Sequence, residues 1–167
     1  MEVMITSGFS TMLITLMVST GYMIDVAKKE FSSHLDMTNQ SRIMLDRMAY
    51  GYQQSGQSNR RGIAEAVSAT LPSSSQIDYT DISSVVHSIR LNSGNIEYRR
   101  GSLGTWQTLL DPNGTTVAWD STKYSTSLTF TQTVPTSVVV KLVLGRKIKG
   151  RWYYASATTE IAFRNAS

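Results

Sequence analysis

The chain has 167 residues, a formal net charge of +4, two histidines and no cysteine. This length suits one domain with at most one appended element, and the absence of cysteine excludes disulfides and thiolate metal sites. The scarcity of histidine, and the absence of phosphate-loop and dinucleotide-binding patterns, indicate a protein that is not an enzyme and uses no cofactor. The apolar fraction of 41% argues against a disordered chain.

The first predicted element is an apolar helix over residues 1–24. No charged residue lies between Glu2 and Asp25, and this stretch would span roughly 33 Å as a helix, about the thickness of a hydrocarbon core. Its serine, threonine and glycine residues allow membrane helices to pack closely. The segment therefore predicts a membrane span that also packs against other helices. A plain anchor and a signal peptide are alternatives, but no Lys or Arg precedes Lys28, which argues against the signal peptide.

An amphipathic continuation of this helix is predicted over residues 25–55. The stretch lacks proline, and its apolar residues recur mostly at steps of three and four, which predicts one buried face. That face comprises Ile24, Ala27, Phe31, Leu35, Leu45, Met48, Ala49 and Tyr52. We expect the helix to end at Ser55-Gly56, which gives a total length of about fifty residues.

Signals for β-strands dominate residues 56–167, which are predicted to form a globular domain. A short helix is expected over 63–70, before Leu71-Pro72, and a linker over 73–75. The predicted strands flank turn residues and occupy 85–91, 96–98, 106–110, 115–119, 127–134, 138–144 and 152–163. Successive hairpins imply an antiparallel sheet, so the predicted fold class is α+β, with a long N-terminal α-helix packed on an antiparallel β-sheet.

The N-terminal run MEVMITSGFSTMLITLMVSTGYMI resembles the start of type IV pilins and type II secretion pseudopilins. In that family a glutamate with apolar neighbours precedes a long apolar helix, and Met1, Glu2 and Val3 are similar to this core. Gly8-Phe9 is an alternative match to the family's processing site. The run SRIMLDRMAYGYQQSG (41–56) resembles the end of the helix in minor pilins and J-type pseudopilins, and TTEIAFRN (158–165) resembles their closing strand.

The resemblance implies a pilin-like fold and a structural role. Such a subunit is held in the inner membrane and then assembles with copies of itself, through pilus or secretion machinery, into an extracellular filament or periplasmic pseudopilus. It implies assembly roles for Met1, Glu2, Val3, Gly8 and Phe9, with Glu2 meeting the N-terminal amine of a neighbouring subunit and setting the axial register. It also implies that a leader peptide and the first three residues of the mature chain precede Met1. Whether the subunit is major or minor stays open.

Two alternative functions are a monomeric binding domain tethered to the membrane by its helix, and a minor pilin or pseudopilin that binds DNA. The DNA-binding alternative depends on a basic cluster next to three aromatic residues at 152–154. The cluster comprises Lys141, Arg146, Lys147, Lys149 and Arg151. Cations beside aromatic rings could contact nucleic acid or an acidic partner. The favoured interpretation is a solvated hairpin in which lysines protect a sheet edge.

Other polar residues are interpreted as structural. Asp78 and Asp81 are expected to be turn or capping residues in a loop, rather than a carboxylate pair. Asp111, Asn113 and Asp120 are expected to be turn residues, because their spacing matches no calcium loop. No metal site is therefore predicted.

The two histidines and the glycosylation triplets give no functional signal. His34 in the helix and His87 in a strand are each expected to be a packing or surface residue. Asn39, Asn113 and Asn165 begin triplets of the N-glycosylation type, which a chain rich in hydroxyl groups produces by chance.

Overall fold

The computed structural model describes residues 2–52, 60–109 and 124–165. A long α-helix, a short 3₁₀ turn and three antiparallel sheets form these parts of the chain. The chain divides into two compact units, Met1–Leu35 and Asp36–Ser167. The predicted α+β class is confirmed, because the second half of the helix packs against antiparallel sheet in a shared core.

Helix α1, Glu2–Tyr50, is continuous, as expected because residues 2–50 contain no proline. It ends at Tyr50 because Gly51 adopts a left-handed conformation with a φ of 81°, which glycine takes without steric strain. The predicted end at Ser55-Gly56 is therefore wrong. Gly51 turns the chain earlier, into strand β1, Gly51–Tyr52.

Strand β1 pairs with β2, Arg60–Arg61, after which the backbone passes close to the end of the helix. A side chain at Gly62 would collide with the backbone of Ala49 and Gly51, so this close approach requires glycine. The 3₁₀ turn Ile63–Glu65 follows. The predicted helix over 63–70 is wrong beyond this turn, because the chain continues as a strand that pairs with its neighbour.

The second sheet comprises β3 (Ala66–Ser73), β4 (Gln76–Asp81), β5 (Val86–Asn92), β6 (Asn95–Arg100) and β7 (Gln107–Thr108). These strands are antiparallel and lie in the order β3-β4-β5-β6-β7. The predicted hairpin at 92–95 is confirmed, because Ser93 and Gly94 both have the positive φ that a two-residue turn requires. The predicted loop around Asp78 and Asp81 is wrong, since both residues lie in β4.

The third sheet comprises β8 (Tyr124–Val134), β9 (Ser137–Ile148) and β10 (Arg151–Ala162), in the antiparallel order β10-β9-β8. Lys149 and Gly150 alone connect β9 to β10, and both have positive φ values. The predicted turn over 145–150 is therefore too long, because residues 145–148 pair with β10. The predicted turn at 111–114 lies outside the described residues.

A shared apolar core lies in the unit Asp36–Ser167. Its helical members are Met37, Met44, Leu45, Met48 and Ala49. Its main strand members are Ile77, Tyr79, Ile89, Ile96, Tyr98, Leu128, Phe130, Val138, Val140, Leu142, Leu144, Ala155 and Ile161. Their period of two along the strands buries one face of each sheet, and each fully buried aliphatic side chain contributes roughly 1.5–3 kcal/mol.

The predicted buried face of the helix is confirmed only in its second part. Leu45 and Met48 are buried, whereas Ile24, Phe31 and Leu35 are 52%, 70% and 50% exposed. The prediction for the earlier residues is wrong because the core takes up helix residues only from position 37 onwards.

Candidate functional site

A large exposed apolar surface covers the first part of α1. Its large apolar side chains are Phe9, Met12, Leu13, Ile14, Leu16, Met17, Val18, Tyr22, Met23, Ile24, Phe31 and Leu35. Soluble monomers rarely leave apolar surface of this extent in water, so the surface indicates contact with lipid or with other protein. We call it the apolar helix surface.

The helix is long and apolar enough to cross a membrane once. Its most apolar part has a mean hydropathy of 1.4, and none of that part is buried within the chain. These properties are compatible with anchoring in a membrane by a single span.

Three hydroxyl groups of this segment are bonded to the helix itself. Thr15 Oγ1 donates to the carbonyl of Thr11 at 2.7 Å, and Thr20 Oγ1 donates to that of Leu16 at 2.6 Å. Ser19 Oγ also donates to the Leu16 carbonyl, at 3.0 Å. Because these three hydroxyls have partners on their own helix, they can enter an apolar environment without being left unsatisfied.

Gly21 has no role in packing within the described chain. A Cβ atom built at this position meets nothing within 4 Å. A glycine inside a helix costs about 1 kcal/mol relative to alanine, and the contacts of this chain do not require it. The absence of a side chain does leave the backbone open to close approach by another helix.

The predicted assembly residues are placed only in part. Met1 lies outside the described residues. Glu2, Val3 and Gly8 belong to α1, but the side chains of Glu2 and Val3 and the surroundings of Gly8 are not described. Phe9 is described, and its ring is exposed on the apolar helix surface.

The basic cluster is divided between the two faces of the third sheet. Lys141 and Lys147 point away from the core, because they alternate with the buried Leu142 and Leu144 along β9. Arg146 lies on the other face, where its guanidinium is 5.8 Å from the ring of Tyr124. The remaining two cations lie at the hairpin tip, where the turn residue is Lys149 and the first residue of β10 is Arg151.

A buried polar network, which the sequence patterns did not predict, lies at one end of the second sheet. The imidazole of His87 is buried between the rings of Tyr79 and Tyr98, with centroid distances of 5.2 Å and 5.9 Å. Its Nδ1 is 2.7 Å from the Tyr98 hydroxyl, and its Nε2 is 3.1 Å from Oδ2 of Asp81. Arg61 Nε lies 3.2 Å from the same oxygen. The network therefore joins β2, β4, β5 and β6.

The surroundings of the network favour a neutral His87 and a charged Asp81. Burial lowers the pKa of His87 below its ordinary value, although the hydrogen bond and charge of Asp81 oppose this. Burial alone would raise the pKa of Asp81, but hydrogen bonds from the Val85 N–H, the His87 ring and the Ser83 N–H lower it overall. If Nε2–H donates to Asp81 and the Tyr98 hydroxyl donates to Nδ1, both ring nitrogens of neutral His87 are satisfied.

The interpretation of Asp81 as a turn residue is confirmed, since its Oδ1 accepts hydrogen bonds from the N–H groups of Ser83 and Val85 at 2.8 Å and 3.0 Å. Asp78 lies on the opposite face of β4 and accepts a hydrogen bond from Gln76. The two carboxylates therefore do not form a pair. The alternation of Tyr79 and Asp81 on one face of a strand was the signal that could have revealed the network.

Trp106 contacts two cations of the second sheet. The guanidinium carbons of Arg90 and Arg99 lie 3.8 Å and 4.5 Å from the centre of its ring. Arg90 also forms an ion pair with Glu97 at 2.8 Å. Trp106 was predicted to begin a strand, but strand β7 begins one position later. Its contacts stabilise this sheet through cation–π interaction.

The other polar residues show no constellation that could hold a metal. Among residues 2–52, 60–109 and 124–165, no group of three or more His, Asp or Glu side chains is close enough to bind an ion. His34 and Asn39 are exposed in α1. The Asn165 side chain donates to the carbonyl of Glu65 at 3.0 Å. Asp111, Asn113 and Asp120 lie outside the described residues.

Comparison with known proteins gives no relative: no family model matches the chain, and neither a curated protein nor a solved structure matches it. The likeness to pilins stays a prediction from the sequence, and the function has to be argued from the geometry of this chain.

Proposed function

We propose that the chain is a structural, non-catalytic subunit of an extracellular type IV pilus-like filament. The observation that carries this proposal is the apolar helix surface, which extends from Phe9 to Leu35 on a helix whose later part packs on a folded domain. Before assembly, the helix holds the subunit in the inner membrane. After assembly, the helices of many copies bundle in the filament, and the sheets form its outer layer.

The extent of the exposed apolar residues favours assembly over simple anchoring. A bilayer core of about 30 Å accommodates about 20 helical residues, which residues 9–24 supply in large part. Phe31 and Leu35 follow the charged residues Asp25 and Lys29, which form an exposed ion pair at 2.8 Å. A bilayer does not account for apolar side chains beyond that charged turn, whereas helices of neighbouring subunits do.

Glu2 has a specific role in this proposal. A carboxylate at the edge of an apolar helix would be strongly destabilised if it were buried without a partner. The free N-terminal amine of a second copy provides such a partner, and a buried ion pair of this kind fixes the axial register of the bundle. We expect Glu2→Ala to reduce filament yield while leaving membrane insertion intact, and normal yield would contradict the register role.

Electron microscopy of sheared surface fractions tests the proposal. We expect helical filaments that contain the full chain. Phe31→Asp should abolish them while alkaline extraction still finds the subunit in the membrane, because a charge at a helix contact cannot be buried without a partner. The matched control is Leu103→Asp, which changes a residue that is 99% exposed in a turn and should leave filament yield unchanged.

The alternative is a monomeric binding domain that its helix tethers to the membrane. In that case the wild-type chain would stay in the membrane fraction and form no filaments. Phe31→Asp would then behave as Leu103→Asp does. These two results together would replace the filament proposal with the anchored one.

A further inference from the structure

The third sheet carries the positive excess of the chain. Its strands and the turn between β9 and β10 contain the five cations of the basic cluster and one acidic residue, Glu160, which is exposed near the end of β10 that lies away from the hairpin tip. The rest of the chain is close to neutral, because the net charge of the whole is only +4. A surface with an excess of positive charge raises the local concentration of negatively charged ligands, so this sheet is suited to a polyanion.

Aromatic rings share the outward face of this sheet with two of the cations. Lys147 is directly opposite Trp152 in the register of β9 and β10, and its Nζ lies 5.9 Å from the centre of the Trp152 ring. The rings of Trp152 and Tyr154 are 6.1 Å apart between centroids, and their planes differ by 16°. A cation and two nearly parallel rings therefore occupy one continuous patch.

Gly145 creates the space that the Tyr154 ring occupies. The two residues are directly opposite each other, and a Cβ atom at 145 would lie 2.7 Å from Cε1 and 2.8 Å from Cδ1 of Tyr154. The ring is thereby held against the backbone of β9, while Tyr154 stays 54% exposed. An aromatic ring that is fixed from below and open above can stack on a flat ligand at little entropic cost.

We propose that the outward face of the third sheet, centred on Trp152, Tyr154 and Lys147, binds single-stranded nucleic acid. Bases stack on the two rings, and phosphates contact Lys147 and the cations of the hairpin tip, Lys149 and Arg151. Lys141 extends the path along β9, about 20 Å from Lys147. Arg146 takes no part, because it lies on the opposite face against Tyr124.

The rings select this ligand among polyanions. A duplex keeps the faces of its bases stacked on each other, and a polyphosphate chain has no bases. Single strands offer both phosphate charges and open base faces, and base–aromatic stacking tolerates any sequence. This inference goes beyond the filament proposal and does not depend on it, since one subunit carries the whole patch.

Fluorescence anisotropy with the full chain in non-ionic detergent micelles tests the inference. The probe is fluorescein-labelled oligo(dT) of about 16 nucleotides. We expect salt-sensitive binding at low ionic strength. Tyr154→Ala and Trp152→Ala should each weaken it by about 5- to 150-fold. Lys147→Gln should lower the slope of log affinity against log salt by about 0.7.

Arg100→Gln is the matched control, because it removes the same charge from an exposed position in the second sheet and should leave the affinity nearly unchanged. Circular dichroism verifies folding, and the exposed Tyr154 and Lys147 variants decide the question if Trp152→Ala unfolds. Duplex DNA of equal length and inorganic polyphosphate should compete weakly. No binding at low salt, equal competition by either polyanion, or wild-type affinity of Tyr154→Ala would overturn the inference.

Discussion

The two parts of helix α1 have similar apolar side chains in opposite environments. Met44 and Met48 are almost inaccessible to solvent in the core of the unit Asp36–Ser167, whereas Met17 and Met23, in the unit Met1–Leu35, are more than 70% exposed. Both parts are regular helix, so the difference does not arise from secondary structure. It arises from which part the sheets of this chain cover.

In both parts of the helix, apolar surface has to be removed from water, but different contacts remove it. Apolar spacing along a helix indicates that a surface must be removed from water, but it does not indicate what removes it. The chain itself meets this requirement from position 37 onwards. Before that position, lipid or other protein has to meet it, and for this reason the apolar helix surface carries the functional proposal.

Truncation of one methionine in each part of the helix should give the largest difference in the free energy of unfolding. Met48→Ala should lower the free energy of unfolding by about 2–5 kcal/mol, because it removes a fully buried side chain from a packed core. Met17→Ala should change the same quantity by less than about 0.5 kcal/mol. Urea unfolding of the full chain in non-ionic micelles, followed by near-ultraviolet circular dichroism, measures both. Equal effects would contradict the division of the helix.

Acid pH should also affect the stability of the two parts of helix α1 differently. The lowered pKa of His87 means that, below its unfolded value of about 6.5, the unfolded state takes up a proton that the folded state resists, so stability falls as pH decreases. The lowered pKa of Asp81 adds a further loss below about 3.9, as the carboxylate is protonated more readily in the unfolded state. Residues 9–24 contain no Asp, Glu, His, Lys or Arg.

Hydrogen exchange from pH 7 to pH 5 should therefore show lost protection in α1 after position 36 and retained protection at 9–24 in micelles. His87→Gln should be less stable at pH 7, because it breaks a buried network, but it should lose less further stability between pH 6.5 and 5. His34→Gln changes the exposed histidine and is the matched control. A pH profile that His87→Gln leaves unaltered would contradict the role of the network.

The sequence predicted the elements whose signals are local. The helix, the hairpin at 92–95 and the strands β8 to β10 follow from proline absence, turn residues and alternation. The end of the helix was misplaced because Gly51 and Ser55-Gly56 are equally suitable stops in sequence, and the choice depends on the fit of Gly62 against the helix end. Such contacts join residues that sequence patterns treat separately.

The candidate sites also differ in whether local sequence signals reveal them. The apolar helix surface could be predicted because it consists of consecutive residues. The buried network could not, since Arg61, Asp81, His87 and Tyr98 come from four strands and meet only through sheet register. The basic cluster was predicted as one group, but alternation along β9 and β10 divides it, and only the register reveals that Gly145 faces Tyr154.

Substitution of two glycines has the smallest expected effects on the free energy of unfolding, and these effects have opposite signs. Gly51→Ala should lower the free energy of unfolding by about 1 kcal/mol or more, because its φ of 81° is strained for any residue with a side chain. Gly21→Ala should instead favour the helix by about 1 kcal/mol, since the added methyl group meets only open space. Thermal unfolding in micelles measures both signs.

Filament yield then tests whether Gly21 allows the helix of a second subunit to approach closely. If the helix of a second subunit approaches closely at this position, Gly21→Leu should reduce assembly even though it leaves the isolated chain at least as stable. Thr20→Leu adds similar bulk at the neighbouring position and is the control for a general effect of side-chain size. Equal yields for wild type and Gly21→Leu would mean that no helix approaches closely there, and the glycine would then have no explanation in assembly.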